Sequence, residues 1–447
     1  MTHSTSRRTF LKQSALAGVG FWAAGGLALA EGKSANGKLN VAFAGVAGQG
    51  GGNLGNIAGQ GENIVALCDI DEERLGKAAE NHKGAKTYTD WRKMLEQKDI
   101  DAVVVSTPDH NHAIIGVSAM KLGKHVYCEK PLAHSVYECR LMRKVAAEQK
   151  VATSMGNQGT SSEGLRRAVE IIRAGVIGPV TEAHVWTNRP SWPQGFAKRP
   201  EKKEPPKSVH WDVWLGPAAE RDYGDGYHPF SWRGWWDFGT GALGDMACHT
   251  ANMAFMALNL GYPASVEAQS DEINPETFPN WATITYQFPK RGDMPPVKWV
   301  WYEGKKKNKE GKDVPNIPNS DLLHGLRSND GSGSLMIGEK GYLFSPSDYG
   351  TNYALGFNDK FTGFQMPEKT LPRSAGHHKD WINACKGGKP SLANFDYAAL
   401  LTEVVVLGNV ALRVGKKIDW NGEDMKAANC PDAAKFVKPE FRKGWEL

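Results

Sequence analysis

Residues 39–58 read LNVAFAGVAGQGGGNLGNIA. The run from Leu39 to Ala44 is apolar but for Asn40 and stops at Gly45, as a strand buried on both faces of a parallel sheet does. A glycine-rich turn and a helix follow. A second strand, NIVALCDID (63–71), ends in acidic residues about 20 positions after the turn. Outward from there the pattern predicts a helix over 72–82, another near 90–98, and the strand DAVVVSTP (101–108). A helix over 113–122 and the strand HVYCEKP (125–131) come next. Strands alternating with helices in this way predict a doubly wound parallel sheet, a Rossmann domain over residues 38–156.

The turn is spaced Gly45-x-Ala47-Gly48-x-Gly50, with Ala47 in place of the middle glycine of the strict dinucleotide fingerprint. Glycines there turn the chain tightly, let the backbone approach a pyrophosphate, and set that anion at a helix N-terminus. Asp69 ends the second strand, where a carboxylate bonds a ribose diol; its alternative is to cap the helix that starts at Asp71–Glu73. Such a carboxylate repels a 2′-phosphate, so NAD is favoured over NADP. Arg74 tempers that preference unless it is simply an exposed helix arginine.

Beyond residue 156 the rhythm changes. A helix over 163–174 leads to VTEAHVWTN (180–188), followed by a Pro- and Trp-rich excursion to about Gly241. SVEAQSDEI, WATITYQFP, PVKWVWYEG and SLMIGEKGYLFS alternate like antiparallel strands with one wet face. They predict an α+β C-terminal domain, residues 157–447, with an open, mostly antiparallel sheet. Within it lies GTGALGDMACHTANMAF (239–255), helical from about Leu243, where Asp245 and His249 share one face four residues apart. An alcohol that gives up hydride also loses its hydroxyl proton, which calls for a base with a pKa near neutrality. His249 suits that role, and Asp245 would orient its imidazole or contact a neighbouring hydroxyl; the alternative is that the pair is simply a polar helix face. The aromatic stretch HWDVWLGPAAERDYGDGYHPFSWRGWWDFG (210–239) offers faces for sugar C–H groups, with Arg233 or His228 for hydroxyls. The same rings would equally pack an insertion onto the domain or bury a subunit interface. Trp232 and Arg233 are the best candidates for substrate contact, and Trp186 is a further one.

The chain has 447 residues, and 54 Lys and Arg against 49 Asp and Glu give a net charge of +5. It opens with SRRTFLK (6–12), an apolar run to Leu29 and the small-residue triplet Ala28-Leu29-Ala30, the order of a twin-arginine export signal over residues 1–30. That predicts the twin-arginine translocase as a partner and a periplasmic location, with an uncleaved membrane tether as the alternative. Without Arg7, Arg8 and Lys12 the remainder carries about +2, and no basic stripe points to nucleic acid. The densest cluster, Lys305–Lys307 with Lys309, reads as a solvated loop. Past the leader no apolar run approaches the ~20 residues of a membrane span. Six cysteines show no CxxC and no regular spacing, suggesting neither a disulfide framework nor a metal site.

Thr107-Pro108 followed by Glu129-Lys130-Pro131, in STPDHNH and YCEKP, resembles the Gfo/Idh/MocA oxidoreductases. RAVEIIRAGVIGPVTEAHVW (167–186) resembles that family's entry into its second domain, and the tail from His377 to Trp420 its closing helices, packing back on the first domain. The resemblance covers nearly the whole chain after the leader. It implies that Ser106, Thr107, Pro108, Asn111 and His112 lie along the dinucleotide and that Glu129, Lys130 and Asn157 lie near its nicotinamide end. Lys130, Asp245 and His249 then form the catalytic group, with Lys130 lowered in pKa by desolvation and the cationic nicotinamide ring. The activity implied is NAD-dependent oxidation of a sugar, glycoside or polyol hydroxyl, in a homodimer or homotetramer. A redox-neutral glycoside hydrolase or lyase working through a transient keto-sugar is the second reading, although the family's glycosidase branch carries another histidine motif where this chain has GALGDMACH. A non-catalytic sugar-binding protein is the third. Free NAD is scarce outside the cytoplasm, so export after folding suits an enzyme that carries its cofactor across tightly bound.

Overall fold

The computed structural model describes residues 37–447, and the twin-arginine segment lies outside them. The first sheet has six parallel strands: β1 (Asn40–Ala44), β2 (Asn63–Cys68), β3 (Lys86–Tyr88), β4 (Ala102–Val105), β5 (His125–Cys128) and β6 (Thr153–Met155). Their order, β3-β2-β1-β4-β5-β6, reverses direction between β1 and β4, the crevice where doubly wound sheets hold ligands. Every residue of β4 is buried, as a strand covered by helices on both faces requires. The carboxyl ends of β1, β4, β5 and β6 line up Gly45, Ser106, Glu129 and Asn157 along one edge.

β3, β6 and the helix Val136–Gln149 are additions to the elements expected above. The two strands are three residues each, KTY and TSM, too short and polar to show a period. The helix does have a start signal, since Ser135 and Glu138 form a reciprocal capping box.

The second sheet has ten strands: β7 (Val180–Trp186), β8 (Ser265–Ser270), β9 (Trp281–Phe288), β10 (Val297–Lys307), β11 (Asp313–Pro315), β12 (Gly333–Gly338), β13 (Gly341–Ser345), β14 (Ala354–Phe357), β15 (Ile418–Asn421) and β16 (Lys426–Ala427). The path runs β14-β13-β12-β7-β10-β9-β8-β15-β16, with β11 beside β10, and only β7 and β10 pair in parallel. Ala282, Ile284, Tyr286 and Phe288 of β9 alternate into the core, while Thr283, Thr285 and Gln287 face the other side. Lys305–Lys307 correct the loop expectation: they end β10 and pair with β11, their side chains exposed.

One helix, Phe395–Val414, corrects the expectation of no span-length apolar segment: it is 20 residues long and contains an 18-residue stretch of mean hydropathy 1.5. Most of its sides are apolar because protein surrounds it, and its buried Glu403 is paired with Arg140. Leu401, Val404, Val405 and Ala411 are fully buried against the helix Val136–Gln149, the helix Gly241–Thr250 and β8. The helix His377–Cys385 packs on the first sheet, where Trp381 and Ile382 join Val41, Phe43 and Tyr127 in one buried cluster. All six cysteines are buried and unpaired.

Trp381→Ala should therefore lower stability by about 3–5 kcal/mol, the usual cost of emptying a large buried site. Denaturant titration checks this, and a loss under about 1 kcal/mol would show that this helix is not part of the first core.

Candidate functional site

The glycine-rich turn is built for close approach. Gly45 has φ +85°, and a Cβ there would lie 2.4 Å from the Ser106 carbonyl oxygen. A Cβ on Gly50 would lie within 2.2 Å of the Gly45 oxygen. The helix Gln49–Gly59 starts from Gly48 with no side-chain cap, so its first turn presents backbone amides to an anion. Asp69 is not the helix cap. Asp71 caps, accepting from Glu73 N, while the Asp69 carboxylate accepts from Val46 N at 3.0 Å and Asp71 N at 3.1 Å. It thus ties the end of β2 to the turn. Burial raises its pKa, opposed by those two amide bonds.

Two buried groups at this edge fit a missing ligand. Both amide atoms of Asn157 and the hydroxyl of Thr107 are buried with no hydrogen-bond partner. Ser106 Oγ accepts from Asn53, and Pro108 precedes a short 3-10 turn over Asp109–Asn111. Asn111 and His112 also bond the loop backbone. The Asn111 amide donates to the Trp214 carbonyl, and the His112 ring lies 2.8 Å from both the Pro131 and Thr107 carbonyl oxygens. Loop backbone takes up the His112 ring and Asn111 Nδ2, while Asn111 Oδ1 is buried without a partner, as the Thr107 hydroxyl is. Glu129 also points inward, accepting from Asn53 Nδ2 at 2.8 Å and Gln49 Nε2 at 3.3 Å beneath the turn.

Lys130 ends the same edge and crosses to the second domain. Its Nζ donates to Asp245 Oδ1 at 2.7 Å and to the Asp245 carbonyl at 2.9 Å. Burial pulls the ammonium down, but the Asp245 charge and hydrogen bond outweigh it and leave the pKa raised, correcting the expectation that it is lowered. The Asp245 carboxyl is correspondingly depressed, burial being overcome by Lys130 and then Arg233. Asp245 therefore orients Lys130 and makes no hydrogen bond to the imidazole it was expected to align. His249 is buried, its Nδ1 has no partner, and its ring stands edge-on to Tyr349 at 4.6 Å. Burial first, then the Lys130 charge, holds its pKa well below 6.5, so the ring is neutral.

Of the aromatic candidates, Arg233 reaches the centre. Its Nε lies 3.5 Å from Asp245 Oδ1, and its guanidinium stacks 4.2 Å over Trp232. Trp232 itself is mostly packed, in a cluster with Trp214, Tyr227, Trp235 and Phe238. Trp186 is corrected: it is buried on the opposite face of the second sheet, stacked on Phe344 beside Leu335. His228 is corrected too, for it sits 3.4 Å from Asp71 at the end of β2.

Further residues here were not anticipated. Asp109 is buried, accepts from Thr240 Oγ1 at 2.6 Å, and is pushed up to about 6 by burial against that bond and the Arg233 and Lys130 charges. Its signal was its place directly after Thr107-Pro108. Tyr349, and the Arg189–Asp348 pair at 3.7 Å, come from loops distant in sequence and carried no local signal.

Comparison with known proteins agrees with this geometry. The oxidoreductase family model with an NAD-binding Rossmann fold (GFO_IDH_MocA) matches residues 39–157. The oxidoreductase family C-terminal alpha/beta domain model matches residues 176–318, so that together they cover more than half of the chain. A glycosyl hydrolase family 109 protein of Solibacter usitatus is 33% identical over 201 residues, 40% of this chain and 44% of its own. Inositol 2-dehydrogenase 3 of Saccharopolyspora erythraea is 34% identical over 137 residues, 30% of this chain and 40% of its own. The chain thus matches less than half the length of these curated relatives. The WlbA dehydrogenase of Bordetella pertussis, solved with NADH and UDP-GlcNAcA, has a TM-score of 0.60 at 18% identity, covering 86% of this chain and 98% of that one. That likeness shows the fold.

The turn separates three glycines experimentally. Gly50→Ala should abolish measurable NAD binding in calorimetry, and Gly45→Ala should do the same through its positive φ. A Cβ on Gly52 meets nothing within 4 Å, so Gly52→Ala should bind NAD normally and gain roughly 0.5–1 kcal/mol of stability. Equal losses in all three would contradict this account of the turn.

Proposed function

The chain belongs to the Gfo/Idh/MocA oxidoreductase family, and on that premise we propose an NAD-dependent oxidoreductase that acts on a sugar, glycoside or polyol hydroxyl with its cofactor tightly bound. The observation that carries this is the buried group of a charged Lys130 tied to Asp245, beside a neutral His249, at the carboxyl edge of the NAD-binding sheet. Gly45, Gly48 and Gly50 would cradle the pyrophosphate, Asp69 the ribose, and Thr107 and Asn157 the inner half of the dinucleotide. When bound, NAD supplies the hydride acceptor. NAD is favoured over NADP because Asp69 repels a 2′-phosphate and Arg74 is engaged by Asp71 at 3.2 Å.

The residues divide the proton work. A neutral imidazole takes the hydroxyl proton at a ring nitrogen. Lys130 has a third N–H beyond its two bonds to Asp245, and it donates that hydrogen to the substrate oxygen as negative charge develops there. Asp245 holds the ammonium in place and keeps it charged. Arg233, stacked on Trp232, adds a second cation at the same carboxylate and a donor for a neighbouring hydroxyl. Tyr349 and Phe230, large and partly exposed, offer apolar faces for the sugar ring.

The arginine-pair opening supports export in a folded, loaded state through the twin-arginine translocase to the periplasm. Pairing into a homodimer or homotetramer belongs to the same reading, by analogy with the family's sheet-to-sheet assemblies.

Mass spectrometry of the small molecule released on denaturing purified protein should find NAD, and its absence would overturn the cofactor reading. With NAD present, turnover of a sugar should give a nicotinamide absorbance change. Glycoside cleavage with the cofactor unchanged at the end would instead place the chain with redox-neutral enzymes. Lys130→Met and His249→Asn should each lower kcat/KM by roughly 10²–10⁴.

The pH profile carries a sign. His249 must be neutral to act, so activity is lost as pH falls through its depressed pKa, and the acid limb lies below 6.5. Lys130 is one cause of that depression, so in Lys130→Met the limb of the residual activity should move to higher pH. An unmoved limb would remove His249 as the base.

A further inference from the structure

The Trp-rich excursion does something its composition does not announce. Its segment 208–216 is stitched to the first domain at two separate loops. On one side it pairs with the end of β2: Glu72 N donates to the Ser208 oxygen at 2.9 Å, His210 N to the Ile70 oxygen at 2.8 Å, and Val209 bridges Asp71. The His210 ring meets Glu72 at 2.7 Å, and His228 reaches Asp71. On the other side the Trp214 carbonyl accepts from Asn111 Nδ2 and lies beside His110 Nε2, both at 2.8 Å, in the loop after β4. Ile70 packs on the aromatic cluster between them, where Trp211 and Trp214 stack at 4.5 Å. The C-terminal tail fastens the segment from outside: Arg442 bonds Asp212 Oδ1 at 2.6 Å and the Gly216 oxygen at 2.9 Å.

In a doubly wound sheet the loops after β2 and β4 flank the adenosine half of a dinucleotide. A segment that spans these two loops crosses that half. We propose that residues 208–216 form the outer wall of the adenosine subsite, so that NAD enters and leaves only when this strap lifts and is otherwise held as a resident group. This rests on the NAD reading above. It assigns cofactor retention to Ser208–Gly216 and the Arg442 fastening, residues distant in sequence from the glycine-rich turn.

The test is cofactor release rather than turnover. Protein is loaded with NADH, chased with excess NAD, and followed by the fluorescence of bound NADH. The double variant His210→Ala/Arg442→Ala should release NADH roughly tenfold faster than the parent and emerge from gel filtration depleted of cofactor. A parallel measurement needs no variant: amide exchange at His210 and Glu72 in the full chain should slow on loading with NADH. Release at the parent rate, or exchange at these amides unmoved by loading, would overturn the strap while leaving the NAD site standing. Failure of the parent to bind NADH at all would overturn the cofactor reading and the strap with it. Should the double variant not fold, the exchange measurement decides.

Discussion

The bond between Lys130 and Asp245 is where the two domains become one site. Lys130 leaves the end of β5, and Asp245 stands on the helix Gly241–Thr250, which belongs to the second domain. Neither charge is stable alone where it lies. Removing one partner of a buried pair costs about 3–5 kcal/mol because the other is left uncompensated. The pair therefore enforces docking as well as chemistry. A second link, Thr240 to Asp109, pins the start of the same helix to the loop after β4. The helix and the sheet edge are thus held at two points, which would fix the orientation that the proposed hydride transfer needs.

Around that bond the charges are arranged in a sequence. Arg233 and Lys130 flank Asp245, and the neutral His249 stands one helical turn beyond. The cations would favour negative charge on a substrate oxygen, while burial and then the Lys130 charge keep the imidazole unprotonated. Desolvation strengthens both effects, since the aromatic insertion and the packed helices shut out the water that would screen them.

The sequence displays the first domain well because its main strands are buried on both faces and read as nearly continuous apolar runs ending in glycine, an acid or Ser-Thr-Pro. β3 and β6 escape because three polar residues have no period to show. The proposed catalytic group could be named from residue types at strand and helix ends, yet which of its members bond one another could not. Asp245 and His249 share a helix face, which suggests a mutual bond, but Lys130 arrives from 115 positions away and takes the carboxylate. Trp186 misleads for a similar reason, since nothing local tells which side of a sheet an aromatic at a strand end will take. Arg233 and Trp232 were readable by proximity to the site helix, whereas Tyr349 and the Arg189–Asp348 pair depend wholly on tertiary folding. The apolar helix Phe395–Val414 shows the converse ambiguity: burial by protein on all sides and burial in lipid write the same composition.

The six buried cysteines have a quieter consequence. Burial pushes the thiols of Cys68, Cys128, Cys139 and Cys385 well above their usual range and that of Cys248 to about 12. Thiolate, the form that reacts with oxidants and disulfides, is scarce at such sites, and solvent does not reach them. The covalent structure is therefore the same in a reducing and in an oxidising compartment. A chain folded in one and delivered to the other meets no new crosslinks, needs no disulfide catalyst on arrival, and keeps the shape in which it first closed around its ligand.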